Sequence, residues 1–208
     1  MKVLIITSYI DSPLHLNDIA ESCDYIICTD GGINIAEKYG ITPDLLLGDF
    51  DSFKGELPTD TEVLHFSPEK DYTDLELAVM EALSRGACEI EIAGGIGGRL
   101  DHTIANIQIL MNYSRHCPVT IRDGRNHCLV LHGPCDIFEI EAVENSYLSL
   151  FSLSECCTGV YASGVRYPLS DHTITSTYPL GVSNEFRDDK ATLSLGGGSM
   201  LIVISKNN

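Results

Sequence analysis

Apolar positions in the first 122 residues come in short runs separated by stretches with helical spacing, the order expected of strand-helix-strand units. The runs Lys2 to Ile6, Tyr25 to Cys28, Asp44 to Leu47, Glu62 to Phe66, Glu89 to Ala93 and Val119 to Ile121 predict strands. Leu75, Ala78, Val79, Ala82 and Leu83 repeat at helical spacing, Thr73 and Glu76 form a capping-box pattern ahead of them, and Gly86 fits the helix end. Ile104, Ile107, Leu110 and Met111 predict a later helix, with Asp101 placed to cap its first turn.

From about residue 128 the period changes to two: Leu148, Leu150 and Leu153 around Ser149 and Ser152, then Thr173-Ile174-Thr175, Leu193-Ser194-Leu195 and Leu201 to Ile204. Turn signals at Gly133-Pro134, Ser163-Gly164, Gly181 and Gly196-Gly197-Gly198 separate these runs, as in a small antiparallel sandwich or barrel. Arg122 to Asn126 reads as the hinge. The expected architecture is an α/β region with a mostly parallel sheet and flanking helices over residues 1–124, followed by an all-β sandwich over 125–208.

Charge narrows the function. Acidic residues number 30 against 13 basic ones, a formal net charge of −17, so neither a nucleic-acid backbone nor an anionic membrane surface is an expected partner. Val3 to Ile6 and Leu201 to Ile204, the longest apolar stretches, are too short to span a bilayer, and the opening residues lack a secretory signal pattern. A cytoplasmic location is expected. The eight cysteines show no C-x-x-C spacing and read as reduced thiols. The spacing of His127, Cys128, His132 and Cys135 matches no common zinc site.

Aspartates fall just past the predicted strands, where an open parallel sheet has its ligand crevice. Asp30 precedes Gly31-Gly32, Asp49 and Asp51 follow a strand through Gly48, Asp71 and Asp74 come after the fourth strand, and Asp101 follows the fifth. Like charges brought to one edge repel strongly at low effective dielectric and require a cation. Magnesium, with its preference for one or two carboxylates plus phosphate oxygens, suits that demand, so a magnesium-nucleotide site is predicted. Asp and Gly are also ordinary turn residues, and each motif taken singly fits a plain loop.

Phosphates need donors as well. Gly94-Gly95-Ile96-Gly97-Gly98-Arg99-Leu100-Asp101-His102 follows a strand and enters a helix, so its backbone N–H groups and Arg99 are candidates for an anion; Lys70 is a second. The loop is neither a Walker loop nor a G-x-G-x-x-G fingerprint, and no G-x-S-x-G elbow supplies a nucleophile. This inventory fits phosphoryl-type transfer, with a magnesium-nucleotide sensing module and a metal-dependent phosphohydrolase as alternatives.

Together, Asp30-Gly31-Gly32, Pro43-Asp44 with Gly48-Asp49-Phe50-Asp51-Ser52, Lys70-Asp71-Tyr72-Thr73-Asp74, Gly94 to Asn106 and Gly181-Val182-Ser183-Asn184-Glu185-Phe186 resemble, in order, the motifs of the thiamine pyrophosphokinase family. The resemblance implies a nucleotide-binding α/β domain, a C-terminal β-sandwich that binds thiamine and dimerises, and a homodimer with active sites between subunits. It implies transfer of the pyrophosphoryl group of ATP to thiamine, giving thiamine diphosphate and AMP. Asp49, Asp51 and Asp74 would hold magnesium, and Asp30, Asp71 and Asp101 would be the catalytic carboxylates. Gly31, Gly32, Ser52, Lys70, Thr73, Gly97, Gly98 and Arg99 would surround ATP, while Ser183 and Asn184 would help form the thiamine pocket. Some family members set thiamine against a tryptophan; this chain has none, which leaves Tyr178 or another aromatic for that surface.

Overall fold

The computed structural model describes residues 1–50, 61–67 and 71–207, which form two compact units, Met1–Gly124 and Arg125–Asn208. The first unit runs β1 (Lys2–Ile6), α1 (Leu16–Glu21), β2 (Tyr25–Thr29), α2 (Gly32–Tyr39), β3 (Leu45–Gly48), β4 (Glu62–His65), α3 (Asp74–Ser84), β5 (Glu89–Ala93), α4 (Leu100–Tyr113) and β6 (Val119–Arg122). Its strands lie in the order β6-β5-β1-β2-β3-β4, each paired parallel to its neighbour. Val3 to Ile6 and Leu45 to Leu47 are fully buried, which is why these strands read as continuous apolar runs rather than as alternating ones.

Leu4 and Ile6 of β1, Cys28 of β2 and Leu46 of β3 form one core cluster with Leu16 of α1 and with Ile33 and Ala36 of α2. α3 packs on β1, β2 and β3, and α4 on α3 and β6, burying Leu75, Ala78, Val79, Ala82, Ile109 and Leu110. The chain passes from β1 outward to β4 on one side, then returns to place β5 and β6 on the other. The strand order therefore reverses between β1 and β5, and that switch point opens a crevice at the carboxyl ends of the strands.

Thr73 caps α3 as expected, its Oγ1 accepting the Glu76 N–H at 3.1 Å, while Glu76 Oε1 accepts the Tyr113 hydroxyl at 3.0 Å; Gly86, at φ +86°, follows the last turn. α4 departs from expectation. It starts at Leu100 with Arg99 in the cap position, and Asp101 lies inside the first turn, where it accepts the His102 N–H at 3.0 Å. The Arg99 guanidinium holds the Asp101 carboxylate, so that side chain is not free to cap from outside.

The second unit is all β: β7 (Asn126–His132), β8 (Cys135–Glu141), β9 (Ser146–Ser152), β10 (Cys156–Ser163), β11 (Leu169–Thr175), β12 (Gly181–Glu185), β13 (Lys190–Leu195) and β14 (Ser199–Lys206). Antiparallel pairing gives two layers, β12-β9-β14-β7 and β11-β10-β13-β8. Alternate residues of each layer meet in a single core, Leu148, Leu150, Met200, Ile202 and Ile204 from one and Val160, Ala162, Leu193 and Leu195 from the other. This is the expected sandwich.

Candidate active site

A cavity of about 360 Å³ opens at the switch point of the first unit. Thr7, Ser8 and Tyr9 line it from the end of β1, Thr29 and Asp30 from β2, Thr73 to Leu75 from the start of α3, Gly95, Gly97 and Arg99 from the loop after β5, and His102 and Asn106 from α4. Residues far apart in the chain reach one place because parallel strands all end on one edge.

Asp30 carries the most distinctive chemistry. Its backbone is in the left-handed region, φ +24°, uncommon for a residue with a side chain, and its N–H is tied to the Leu47 carbonyl at 2.8 Å. Phe50 is also left-handed, at φ +55°. Backbone N–H groups of Phe50 and Gly31 serve the Asp30 carboxylate, yet its Oδ1 is buried without any hydrogen-bond partner. Burial first, then the charges of Asp49 and Asp74, push its proton affinity above the usual carboxylate range.

Asp30 therefore lies within electrostatic reach of two further expected aspartates. A buried carboxylate oxygen with no donor, beside two further carboxylates, is the imbalance that a hard dication relieves, and the residues fit magnesium in that sense. Among the described residues no three His, Cys, Asp or Glu side chains form a ready-made metal centre. Asp51, expected to be a ligand, lies outside the described residues, as do Ser52 and Lys70.

The glycine loop is braced from α4: the Gly97 N–H donates to Thr103 Oγ1 at 3.1 Å, and Asn106 Nδ2 donates to the Gly95 carbonyl at 2.7 Å. Arg99 lines the cavity, but its guanidinium is engaged with Asp101, Nε to Oδ1 at 3.1 Å. That partner holds the Asp101 carboxyl below the usual range. Both side chains are largely exposed, so the pair contributes little and an incoming phosphate can compete for Arg99.

Other expected site residues are placed differently. Thr73 lines the cavity while its hydroxyl oxygen caps α3. Asp71 is exposed and, with Asp101, Gly31, Gly32 and Gly98, is not among the residues lining the cavity. At Gly32 a Cβ would stand 2.2 Å from the Ile6 carbonyl oxygen, so glycine there lets α2 close onto the end of β1. No local pattern marks Thr7, Ser8 and Tyr9 as site residues, and Asn106 stands at the end of the motif that begins at Gly94. The one signal for the first three is their position immediately after the first strand, beside the switch point.

In the second unit Ser183 is left-handed at φ +58° and exposed, and its N–H donates to Ser149 Oγ at 3.0 Å. Asn184 uses its amide within the fold: Oδ1 accepts the Tyr167 N–H at 2.9 Å and Nδ2 donates to the Tyr167 carbonyl at 2.8 Å. Tyr167, an exposed ring with the Arg166 guanidinium 5.4 Å from its centre, is thus the aromatic tied to this motif. Tyr178 instead lines a separate small cleft with Phe151 and Pro179.

Residues 16–121 match the family description "Thiamin pyrophosphokinase, catalytic domain", and residues 136–199 match "Thiamin pyrophosphokinase, vitamin B1 binding domain". The chain is 34% identical to the thiamine pyrophosphokinase of Bacillus subtilis (strain 168) over 173 residues, 80% of each chain. It is 26% identical to thiamin pyrophosphokinase 1 of Caenorhabditis elegans over 198 residues, 88% of this chain and 80% of that one. The crystal structure of a Bacillus subtilis thiamine pyrophosphokinase superposes over the full length of both chains with a TM-score of 0.85 at 27% identity. With both sequence regions and the fold in agreement, the chain belongs to the thiamine pyrophosphokinase family.

Proposed function

We propose that the chain transfers the terminal pyrophosphoryl group of ATP to the primary hydroxyl of thiamine, giving thiamine diphosphate and AMP. Besides the family, the observation that carries this reading is the meeting of Asp30, Asp74, Arg99 and the glycine loop at one cavity. Transfer of a charged phosphoryl group demands positioning and charge compensation rather than a covalent nucleophile, and this is the residue set that supplies them.

In this reading Asp49 and Asp74, with Asp51 of the same motif, would hold magnesium, which when bound supplies positive charge against the triphosphate. Arg99 leaves Asp101 for a phosphate oxygen beside the glycine loop, whose Gly95 and Gly97 N–H groups are engaged within the fold; Lys70 is assigned to the phosphates by its motif. Asp30, half-buried in the lining of the cavity and outside the magnesium set, accepts the thiamine hydroxyl proton. Asp101 and Asp71 do not line the cavity. Ser183 and Asn184, with the Tyr167 ring beside them, contribute to the thiamine pocket across a homodimer.

A cytoplasmic setting agrees with eight free cysteines, and no helix among the described residues is long and apolar enough to cross a membrane. The test is AMP release from ATP and magnesium with and without thiamine. AMP and thiamine diphosphate formed in equal amounts, only when thiamine is present, are expected. Phosphate or pyrophosphate released to water without thiamine, or ligand binding with no turnover, would overturn the reading.

A further inference from the structure

The cavity has polar groups for phosphates, but a nucleotide also carries a flat aromatic base. Among the described residues lining the cavity, Tyr9 alone offers an aromatic carbon ring. Tyr9 is 42% exposed and held from three directions. Its hydroxyl donates to Asp11 Oδ1 at 2.8 Å. Its own carbonyl accepts the Gly95 N–H at 2.9 Å and the Thr7 hydroxyl at 3.1 Å. Its ring edge lies over Gly98, where a Cβ would stand 3.2 Å from Tyr9 Cζ, so the absence of a side chain at 98 lets the ring rest on the glycine loop. An aromatic surface fixed before binding gives up little conformational freedom when a ligand stacks on it.

We propose that Tyr9 is the platform on which the ATP base stacks, making the β1–α1 loop a base-recognition element of this site. The inference rests on the reading that the cavity takes ATP. The base is favoured over an aromatic ring of thiamine because Tyr9 is bonded to the same loop, Gly95 to Arg99, that faces the phosphates. Base and phosphates belong to one molecule, so one loop can hold both ends of it.

The test compares ATP with inorganic tripolyphosphate, which has the phosphates but no base, by equilibrium binding with magnesium to the full chain and to Tyr9→Leu and Tyr9→Phe. Base stacking on an aromatic side chain predicts a loss of about tenfold in ATP affinity for Tyr9→Leu, with tripolyphosphate affinity unchanged. Tyr9→Phe keeps the ring and is expected within about threefold of the unaltered chain. Unchanged tripolyphosphate affinity also certifies that the variant is folded; Tyr9→Ser replaces Tyr9→Leu where it is not. In turnover, the change is expected in the KM for ATP and not in that for thiamine. An ATP affinity within twofold in the Leu or Ser variant, an equal loss for tripolyphosphate by a folded variant, or a change confined to the KM for thiamine would overturn the proposal. Tyr9-dependent ATP binding without thiamine turnover would leave this inference standing and remove the proposed function; normal turnover without Tyr9 dependence would do the reverse.

Discussion

The two ends of the parallel sheet treat charge in opposite ways. At the amino-terminal edge, Lys2 Nζ lies 3.0 Å from Glu89, and Arg85 lies 2.8 Å from both Glu62 and Glu81. Glu91, farther along β5, is nearly buried but sits between Lys2 at 3.4 Å and Arg122 at 2.9 Å. At the carboxyl-terminal edge, Asp30 has a buried oxygen without a donor, two carboxylate neighbours and a strained backbone. Paired charge serves the fold, whereas uncompensated charge is retained only where a ligand will meet it. Substitutions at the two edges should therefore separate activity from stability.

The largest effect is expected for Asp30→Asn, which keeps the shape, tolerates a left-handed backbone and removes the charge. Turnover should fall by about 10²–10⁴-fold, the scale of a lost general base, while the melting temperature rises because a repelled, half-buried carboxylate is gone. Steady-state kinetics and a thermal melt on the same preparation check both halves. Full activity, or a lower melting temperature, would break the contrast. Next is Gly32→Ala, which places a methyl group 2.2 Å from the Ile6 oxygen and is expected to cost about 3 kcal/mol in a denaturant titration. A variant as stable as the parent would mean that α2 does not need glycine to close on β1.

In the middle of β5 the order reverses. Glu91→Gln should lose about 1–2 kcal/mol, since it removes the common partner of Lys2 and Arg122; the figure stays below that for a deeply buried pair because both cations reach solvent. Glu91 Oε1 and Arg122 Nε approach closely without hydrogen-bond alignment, which points the same way. The KM values for ATP and thiamine should not move. A stability change below about 0.5 kcal/mol, or a tenfold change in KM, would show that the pair does not belong to the fold alone.

The same contrast explains what was legible in the sequence. Strands buried on both faces appear as uninterrupted apolar runs, and the parallel edge collects whatever follows each run, so Asp30, Asp49 and Asp74 could be expected together. Helix α2 has only Ile33 and Ala36 as buried larger side chains, too few to make a periodic stripe. The resemblance sets Gly31 and Gly32 around ATP, but glycine answers equally to a ligand and to a close backbone approach; only the position of the Ile6 oxygen reveals the second at Gly32. The pairing of Arg99 with Asp101 was hidden for a related reason. Residues two apart do not share a helix face, but Arg99 lies just outside α4 and reaches back over its first turn. Tyr9 enters the site through a contact with Gly95, 86 positions away, for which no local pattern exists.

The smallest expected effect concerns the pH dependence of the amino-terminal edge. Arg85 donates from two nitrogens to the two oxygens of Glu62, at 2.8 and 3.0 Å, and also pairs with Glu81 and meets the Tyr25 hydroxyl. The Arg85 hydrogen bonds hold the Glu62 carboxyl below its ordinary value. A carboxyl lowered in the folded state adds stability above its unfolded value, because the folded chain then binds fewer protons than the unfolded one at intermediate pH. That contribution is complete at neutral pH, shrinks below about pH 4.5, where the unfolded carboxyl begins to protonate, and vanishes as the pH falls through the folded value. The melting temperature of Glu62→Gln should thus lie slightly below that of the parent at pH 7 and converge with it in acid. Because the pair is exposed, added salt should narrow the gap at pH 7 as well. A gap that stayed constant from pH 7 to pH 3 would show that Glu62 acts through packing rather than through charge, and the amino-terminal edge would lose its standing as the compensated end of the sheet.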